Sequence, residues 1–258
     1  MRQQTSFAVY PSLRERVVVV TGGGSGIGAE IVEQFARQGA RVAFLDRGLE
    51  PAQDLVAALT GNVPHVPHFL PCDVTRIAAL RAALARIDEE LGAVTVLVNN
   101  AASDDRHITA EITPEYWDER LAVNLRHYFF AIQAVSAGMT AAGGGSIVNI
   151  GSIAWLIPST NQAAYVTAKA GIVGLTRSLA HELGAANIRV NCVLPGAIMT
   201  ERQRRLWVTP EYAAKIRAAQ ALKRELLPDD VARLVLFLSA DDSSGMTSQS
   251  YIVDGGWV

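Results

Sequence analysis

The chain has 258 residues, 50% hydrophobic and 19% charged, which is enough apolar material for one large α/β domain with a sizeable core. A formal net charge of −2 with no basic run argues against nucleic acid or an anionic membrane as a partner. Two cysteines, Cys72 and Cys192, lie far apart with neither a Cys-x-x-Cys spacing nor a histidine cluster, which excludes a disulfide framework and a zinc site and predicts two buried, reduced thiols.

Residues 1–15 lack the apolar stretch of a signal peptide and read as an N-terminal extension of a cytoplasmic protein. The β-branched run at 17–20 predicts a strand. Ile27, Ile31, Val32 and Phe35 then fall at helical spacing over 27–38, and Gly39 stops the helix. A strand at 42–45, a helix over 50–60, a Pro-rich loop at 61–67, a strand at 68–70, a helix over 75–91 and a strand at 96–98 follow. Thr113-Pro114-Glu115 opens a helix running to about residue 139, with threonine as cap and proline at the first helical position. Gly143-Gly144-Gly145 breaks the chain before a strand at 146–150, and a helix over 161–183 leads to a strand at 188–193. After Pro195-Gly196 comes a polar helical insertion over about 197–225, with Thr209-Pro210-Glu211 as a second helix start. Pro228 opens a last helix through 238, and 251–253 closes as a strand. Strands and helices alternate, and the strands are apolar almost throughout. That pattern predicts a parallel sheet covered on both faces, in a single doubly wound α/β domain over 1–258.

Thr21-Gly22-Gly23-Gly24-Ser25-Gly26-Ile27-Gly28 falls between the first strand and the first helix. Glycines there let the backbone approach a pyrophosphate and leave its charge at a helix amino terminus. Gly22, Ser25, Gly26, Ile27 and Gly28 are therefore candidate cofactor contacts. The motif departs from Gly-x-Gly-x-x-Gly because position 27 is isoleucine, and on its own it also fits a flexible connection. Asp46 ends the second strand, where a carboxylate accepts hydrogen bonds from adenosine ribose hydroxyls and repels a 2′-phosphate, favouring NAD. Arg47 beside it can pair with that phosphate, which leaves NADP open. Asp73 can accept from an adenine amino group or cap the helix near Thr75. Asn99-Asn100-Ala101 follows the fourth strand, at the carboxyl edge where ligands bind in such sheets.

Tyr165 and Lys169 stand one helical turn apart, so both tips can reach one bound molecule. A free phenol titrates near 10, and lowering that by roughly three units takes about 4 kcal/mol. One cation about 4 Å away supplies about that much at an effective dielectric near 20. The pair is a plausible acid/base device, although a tyrosine and a lysine four apart also meet by chance on many helices.

Thr-Gly-x-x-x-Gly-x-Gly at 21–28, Asn99-Asn100-Ala101, Asn124, Ser152, Tyr165-x-x-x-Lys169 and Pro195-Gly196 occur in this order over essentially the whole chain. Together they resemble the short-chain dehydrogenase/reductase family. The resemblance implies a Rossmann-type fold with about seven parallel strands, a nicotinamide cofactor and a homotetramer. It implies Tyr165 as the proton-transferring group, and Lys169 as the residue that binds the nicotinamide ribose and lowers the tyrosine pKa. Ser152 is implied to hydrogen-bond the reacting oxygen and Asn124 to hold a proton-relaying water. Taken on their own residues, Ser152 fits a turn cap and Asn124 a helix-interior amide satisfying a backbone group. Val74, Asn99, Ala101, Pro195, Ile198 and Thr200 complete the implied cofactor contacts. Ala102 stands where the family commonly has glycine, which reshapes the loop slightly and removes no reacting group.

The stretches 103–107, 116–120 and 123–127, with the tail of the chain, are similar to bacterial sugar 1-dehydrogenases acting on xylose and related aldoses. A site reading several sugar hydroxyls needs acceptors and donors together. Asp104, Asp105, Arg106 and His107 supply both if they face the site, and otherwise form an exposed charged loop. Trp155 and Gln162 flank Ser152 and Tyr165; Trp155 either stacks on a sugar face or packs under the loop. The expected substrate contacts are Asp104, Ser152, Trp155, Gln162 and Tyr165. The expected reaction is NAD-dependent oxidation of a monosaccharide at C1 to the aldonolactone. The same chemistry serves another secondary alcohol or a 3-oxoacyl substrate. A non-catalytic nicotinamide sensor would have no need of the complete Asn, Ser, Tyr and Lys set. His65, His68 and His181 read as surface or packing residues and not as ligands, so no catalytic metal is expected.

Overall fold

Seven strands form from the apolar runs: β1 Val17–Thr21, β2 Arg41–Asp46, β3 His68–Pro71, β4 Val96–Asn99, β5 Gly145–Ile150, β6 Ile188–Pro195 and β7 Ser250–Val253. The computed structural model describes residues 7–258, so residues 1–6 of the expected N-terminal extension lie outside the described residues. The strands make one sheet in the order β3-β2-β1-β4-β5-β6-β7, and every pair is parallel. From β1 the chain builds outward through β2 and β3, then returns to the other side of β1 with β4. The loops after β1 and β4 therefore diverge and open a crevice at the carboxyl edge of the sheet.

Parallel strands demand crossovers, and helices supply them on both faces: α1 Gly26–Arg37, α2 Leu49–Leu59, α3 Ile77–Leu91, α4 Pro114–Leu121, α5 His127–Ala141, α6 Ala163–Leu183 and α9 Pro228–Ser239. The run at 17–20 is apolar at every position because both of its faces are covered. Val18 and Val20 pack with Ile31, Phe35 and Val235 on one side, while Val17 and Val19 pack with Leu80, Leu84, Val135 and Leu179 on the other. Each such valine contributes about 1.5–3 kcal/mol by leaving water.

The remaining helices, α7 Glu201–Leu206 and α8 Pro210–Ala219, build the polar segment between β6 and α9. Thr113, Thr200 and Thr209 each cap their helix, the side-chain oxygen accepting from the backbone N–H three residues on. The helix expected from 114 to about 139 is not uniform, since a π turn at Ala122–Arg126 separates α4 from α5. Such turns carry one residue too many for the α ladder and have no composition signal. Asn124 sits inside this one. Helix α3 starts at Ile77, two residues later than expected, because Asp73 Oδ1 accepts from the Thr75 N–H and hydroxyl and holds that stretch as a turn.

Candidate active site

Several strand ends meet in one cleft of about 710 Å³ along the carboxyl edge of the sheet. At one end lies the glycine-rich turn. Gly22 adopts φ +66°, and a Cβ there would sit 2.7 Å from the Ala101 Cα; a Cβ on Gly28 would come within 1.9 Å of the Gly22 carbonyl oxygen. Only glycine fits either position. Thr21 Oγ1 accepts from the N–H groups of Asn100 (3.0 Å) and Ala101 (3.1 Å), and Asn100 Nδ2 donates to the Gly22 carbonyl (2.8 Å), which locks the turn to the end of β4. Ser25 makes no side-chain cap, and no acidic residue stands in the first turn of α1, so the helix N–H groups there face the cleft unopposed. That is a cradle suited to a pyrophosphate. Asp46 receives the N–H of Gly24 on one oxygen and that of Gly48 on the other, both at 2.8 Å. It lines the cleft with lone pairs left for ribose hydroxyls. These residues fit a dinucleotide.

Val74, Asp73, Ala101, Pro195, Ile198 and Thr200 also line the cleft. Asp73 lines the cleft and accepts from Thr75, in the turn that precedes α3. Thr200 caps α7 with its methyl 3.2 Å from where a Cβ on Gly26 would lie, bringing the segment after β6 onto the glycine turn. Asn99 departs from expectation. It is fully buried and its Nδ2 donates to Asn149 Oδ1 (3.0 Å), while Asn149 Nδ2 donates to Thr176 Oγ1 (3.0 Å). Neighbouring residues at a strand end point opposite ways, so Asn100, and not Asn99, presents itself to the cleft.

The other end of the cleft carries Ser152, Tyr165 and Lys169. Ser152 Oγ accepts from the Ala154 N–H at 3.0 Å, and this cap leaves its proton to donate elsewhere. Lys169 is 1% exposed and its ammonium donates to the Ile150 carbonyl (2.8 Å) and the Tyr128 hydroxyl (3.3 Å), with Nζ 5.5 Å from the Tyr165 ring centroid. Burial pulls Lys169 down to about 8. In this ligand-free chain the Tyr165 phenol is pushed up to about 12. Burial is the main cause and the Asp104 carboxylate adds to it, against a hydrogen bond from Ser152 and the charge of Arg106.

Asn124 is fully buried with its amide almost fully engaged. Oδ1 accepts from the Ser103 N–H (2.9 Å), and Nδ2 donates to the carbonyls of Ser103 (3.0 Å) and Arg120 (2.9 Å). The side chain therefore anchors the loop after β4 to the π turn. That is the backbone-satisfying alternative.

The loop after β4 and helix α7 face each other across the substrate end. Asp104 Oδ2 accepts from Gln203 Nε2 (2.6 Å), and Arg202 bridges Asp104 (3.3 Å) and Asp105 (2.7 Å). Asp105 also pairs with Arg120 at 2.7 Å. Of the four charged or polar residues at 104–107, Asp104 and Arg106 line the cleft; the Arg106 guanidinium lies 5.1 Å from the Trp207 ring centroid, and His107 packs edge-on against Tyr116. Gln162 lines the cleft at 7% exposure. Trp155 does not; it packs with Tyr128, Ile153 and Ile172, the second of its two expected fates, because the turn at Ile153–Trp155 directs it inward. Arg202, Gln203 and Tyr128 are site neighbours that the sequence reading does not single out, while the Trp257 tail, whose role the sequence left open, lines the cleft. Gln203 was reachable, lying three residues beyond the Thr200 cap. Tyr128 was too, lying one helical turn beyond Asn124.

A parallel sheet with this crevice, a glycine cradle beneath one end and a serine, tyrosine and lysine at the other define the class: the chain belongs to the short-chain dehydrogenase/reductase family. Over residues 22–258 it matches the family described as Enoyl-(Acyl carrier protein) reductase. It is 54% identical over 247 residues to a Rhizobium meliloti protein named "Probable galactose dehydrogenase GalD", covering 96% of each chain. It is 52% identical over 252 residues to the D-xylose 1-dehydrogenase of Caulobacter vibrioides, covering 98% of this chain and 99% of that one. Among solved structures, the aldohexose dehydrogenase of Thermoplasma acidophilum in ligand-free form aligns with a TM-score of 0.84 at 30% identity, covering 96% of each chain.

Proposed function

We propose that the protein oxidises an aldose at C1 to the aldonolactone with NAD, using Tyr165 as the base. The observation that carries this reading is the union, in one cleft, of the glycine cradle and Asp46 with Ser152, Tyr165 and a polar wall of Asp104, Gln162 and Gln203. The 52% identity to a D-xylose 1-dehydrogenase over nearly the full length supports the substrate class.

Tyr165 takes the proton of the C1 hydroxyl as the C1–H bond breaks and the carbonyl forms. Ser152 donates to the same oxygen and keeps it aligned with the phenol. Lys169 supplies positive charge beside Tyr165 and binds the nicotinamide ribose. When bound, the oxidised nicotinamide supplies the acceptor for the C1 hydride and a second positive charge, which the phenol needs because burial has raised it to about 12. Asn124 holds the Ser103 loop so that Asp104 faces the sugar. Asp104, Gln162 and Gln203 read the remaining hydroxyls, and sites built that way reject analogues lacking them.

NAD is favoured over NADP by the Asp46 carboxylate, which would face a 2′-phosphate with like charge. A cytoplasmic homotetramer is the accompanying reading. Its association part is supported by the apolar face of α5 and α6 around Leu125, Phe130 and Leu175, where Phe129 remains 40% exposed. Among the described residues no helix is long and apolar enough to cross a membrane.

The test is NADH formation with aldoses, long-chain secondary alcohols and hydroxyacyl thioesters, each run with NAD and with NADP. Turnover confined to the aldoses is expected. Turnover of the thioesters alone overturns the sugar assignment, and turnover of nothing leaves a cofactor-binding role.

A further inference from the structure

Lys169 is 1% exposed, and the structure gives it a partner outside the family motif. Tyr128, on α5, is fully buried; its hydroxyl donates to the Ile150 carbonyl at 2.9 Å and accepts from Lys169 Nζ at 3.3 Å. Lys169 donates to the same carbonyl at 2.8 Å. Lysine ammonium, phenol and carbonyl thus close a three-membered ring of hydrogen bonds, with Nζ 5.5 Å from the ring centroids of both Tyr128 and Tyr165. Tyr128 and Lys169 are 41 residues apart, and α5 and α6 meet here at the end of β5.

We propose that Tyr128 is a positioning residue for the reaction, its hydroxyl and the Ile150 carbonyl together holding the Lys169 ammonium charged and beside Tyr165. This rests on the reading of Tyr165 as base. An ammonium this deeply buried keeps its proton only where acceptors replace water, and Tyr128 is one of its two acceptors among the described residues. The other titratable or charged groups facing it do not compete in the working pH range. His127, preceding Tyr128 on α5, is held down to about 3, mainly by burial and further by the charge of Lys169. Burial raises the Tyr128 phenol well above its ordinary value and the Cys192 thiol of β6 to about 12, so both stay neutral. Asp104, in the loop after β4, adds negative charge that favours the ammonium.

The test is the pH profile of kcat/KM for aldose oxidation in Tyr128→Phe, which removes one oxygen and keeps the ring packing. With one acceptor fewer, the ammonium gives up its proton at lower pH. The alkaline limb is expected to move down by about one pH unit, with kcat reduced and the KM for NAD little changed. An alkaline limb in the wild-type position overturns the proposal, because a merely structural role would lower the rate without moving it. Tyr165→Phe, measured in parallel, separates the two claims. Turnover in that variant removes the base reading itself, while its inactivity beside an unshifted Y128F profile removes only the role of Tyr128. Should Y128F fold poorly, Y128M and Y128Q replace it. Both side chains are flexible and smaller than tyrosine, and glutamine alone offers an acceptor. The limb is then expected at lower pH in Y128M than in Y128Q, and coincident limbs contradict the proposal.

Discussion

Asp46 meets the cleft with a carboxylate whose two oxygens already accept the N–H groups of Gly24 and Gly48. Its negative charge is thereby fixed in place, so a 2′-phosphate entering the adenosine end meets it without relief. Asp46→Ala is expected to lower the preference for NAD over NADP in kcat/KM by about tenfold or more, with Arg47 left free to pair with the phosphate. An unchanged ratio would remove Asp46 from cofactor choice. Residues whose chemistry dictates both type and spacing, such as Tyr165 with Lys169 or the glycines at 22 and 28, were legible in the sequence. Those whose task is set by the partner were not. Asn99 and Asn100 are chemically identical neighbours that the pleat sends in opposite directions. The direction of the Tyr165 shift is set by burial of the phenol and by the Asp104 carboxylate, neither of which a four-residue spacing reveals.

Helix α6 carries Tyr165 and Lys169, and the polar chain from Asn99 through Asn149 to Thr176 fastens it to β4 and β5 beneath the cleft. Thr176 is fully buried and lies two turns beyond Lys169. Thr176→Val should strand the Asn149 amide and cost about 1–3 kcal/mol in denaturant unfolding. A change near zero would mean that packing alone holds the helix. Across the cleft, Arg202 ties α7 to Asp104 and Asp105 with about half of its side chain exposed, and such pairs contribute about 0–1 kcal/mol. Arg202→Ala should therefore leave Tm nearly unchanged while raising the KM for the sugar more than that for NAD. Equal effects on both would place the latch outside substrate recognition. Strands and crossover helices were legible because each presents a plain periodicity. The π turn at Ala122–Arg126 was not, since one inserted residue leaves the apolar spacing on either side intact.

At the scale of the whole molecule, topology assembles what the sequence scatters. The order β3-β2-β1-β4-β5-β6-β7 puts the ends of β1 and β4 at the switch point and brings Ser152 after β5, Tyr165 on α6 and Ile198 after β6 to the same edge. The same order brings Trp257, next to the last residue, back into the cleft behind the turn at Gly255 and Gly256, both in the left-handed region. Nothing local in the sequence gives that return. The cleft then has a glycine-lined end and a polar end, with Tyr165 lining it beside Ser152, and on the proposed reading Tyr165 is the base. The most direct test is to follow NADH and aldonolactone together from an aldose for the wild type and Tyr165→Phe, with NAD affinity measured for both by calorimetry. The two products are expected in equal amounts from the wild type, with turnover lowered about a thousandfold or more in the variant at unchanged NAD affinity. Lactone formed by the variant at a rate near that of the wild type would contradict Tyr165 as the base.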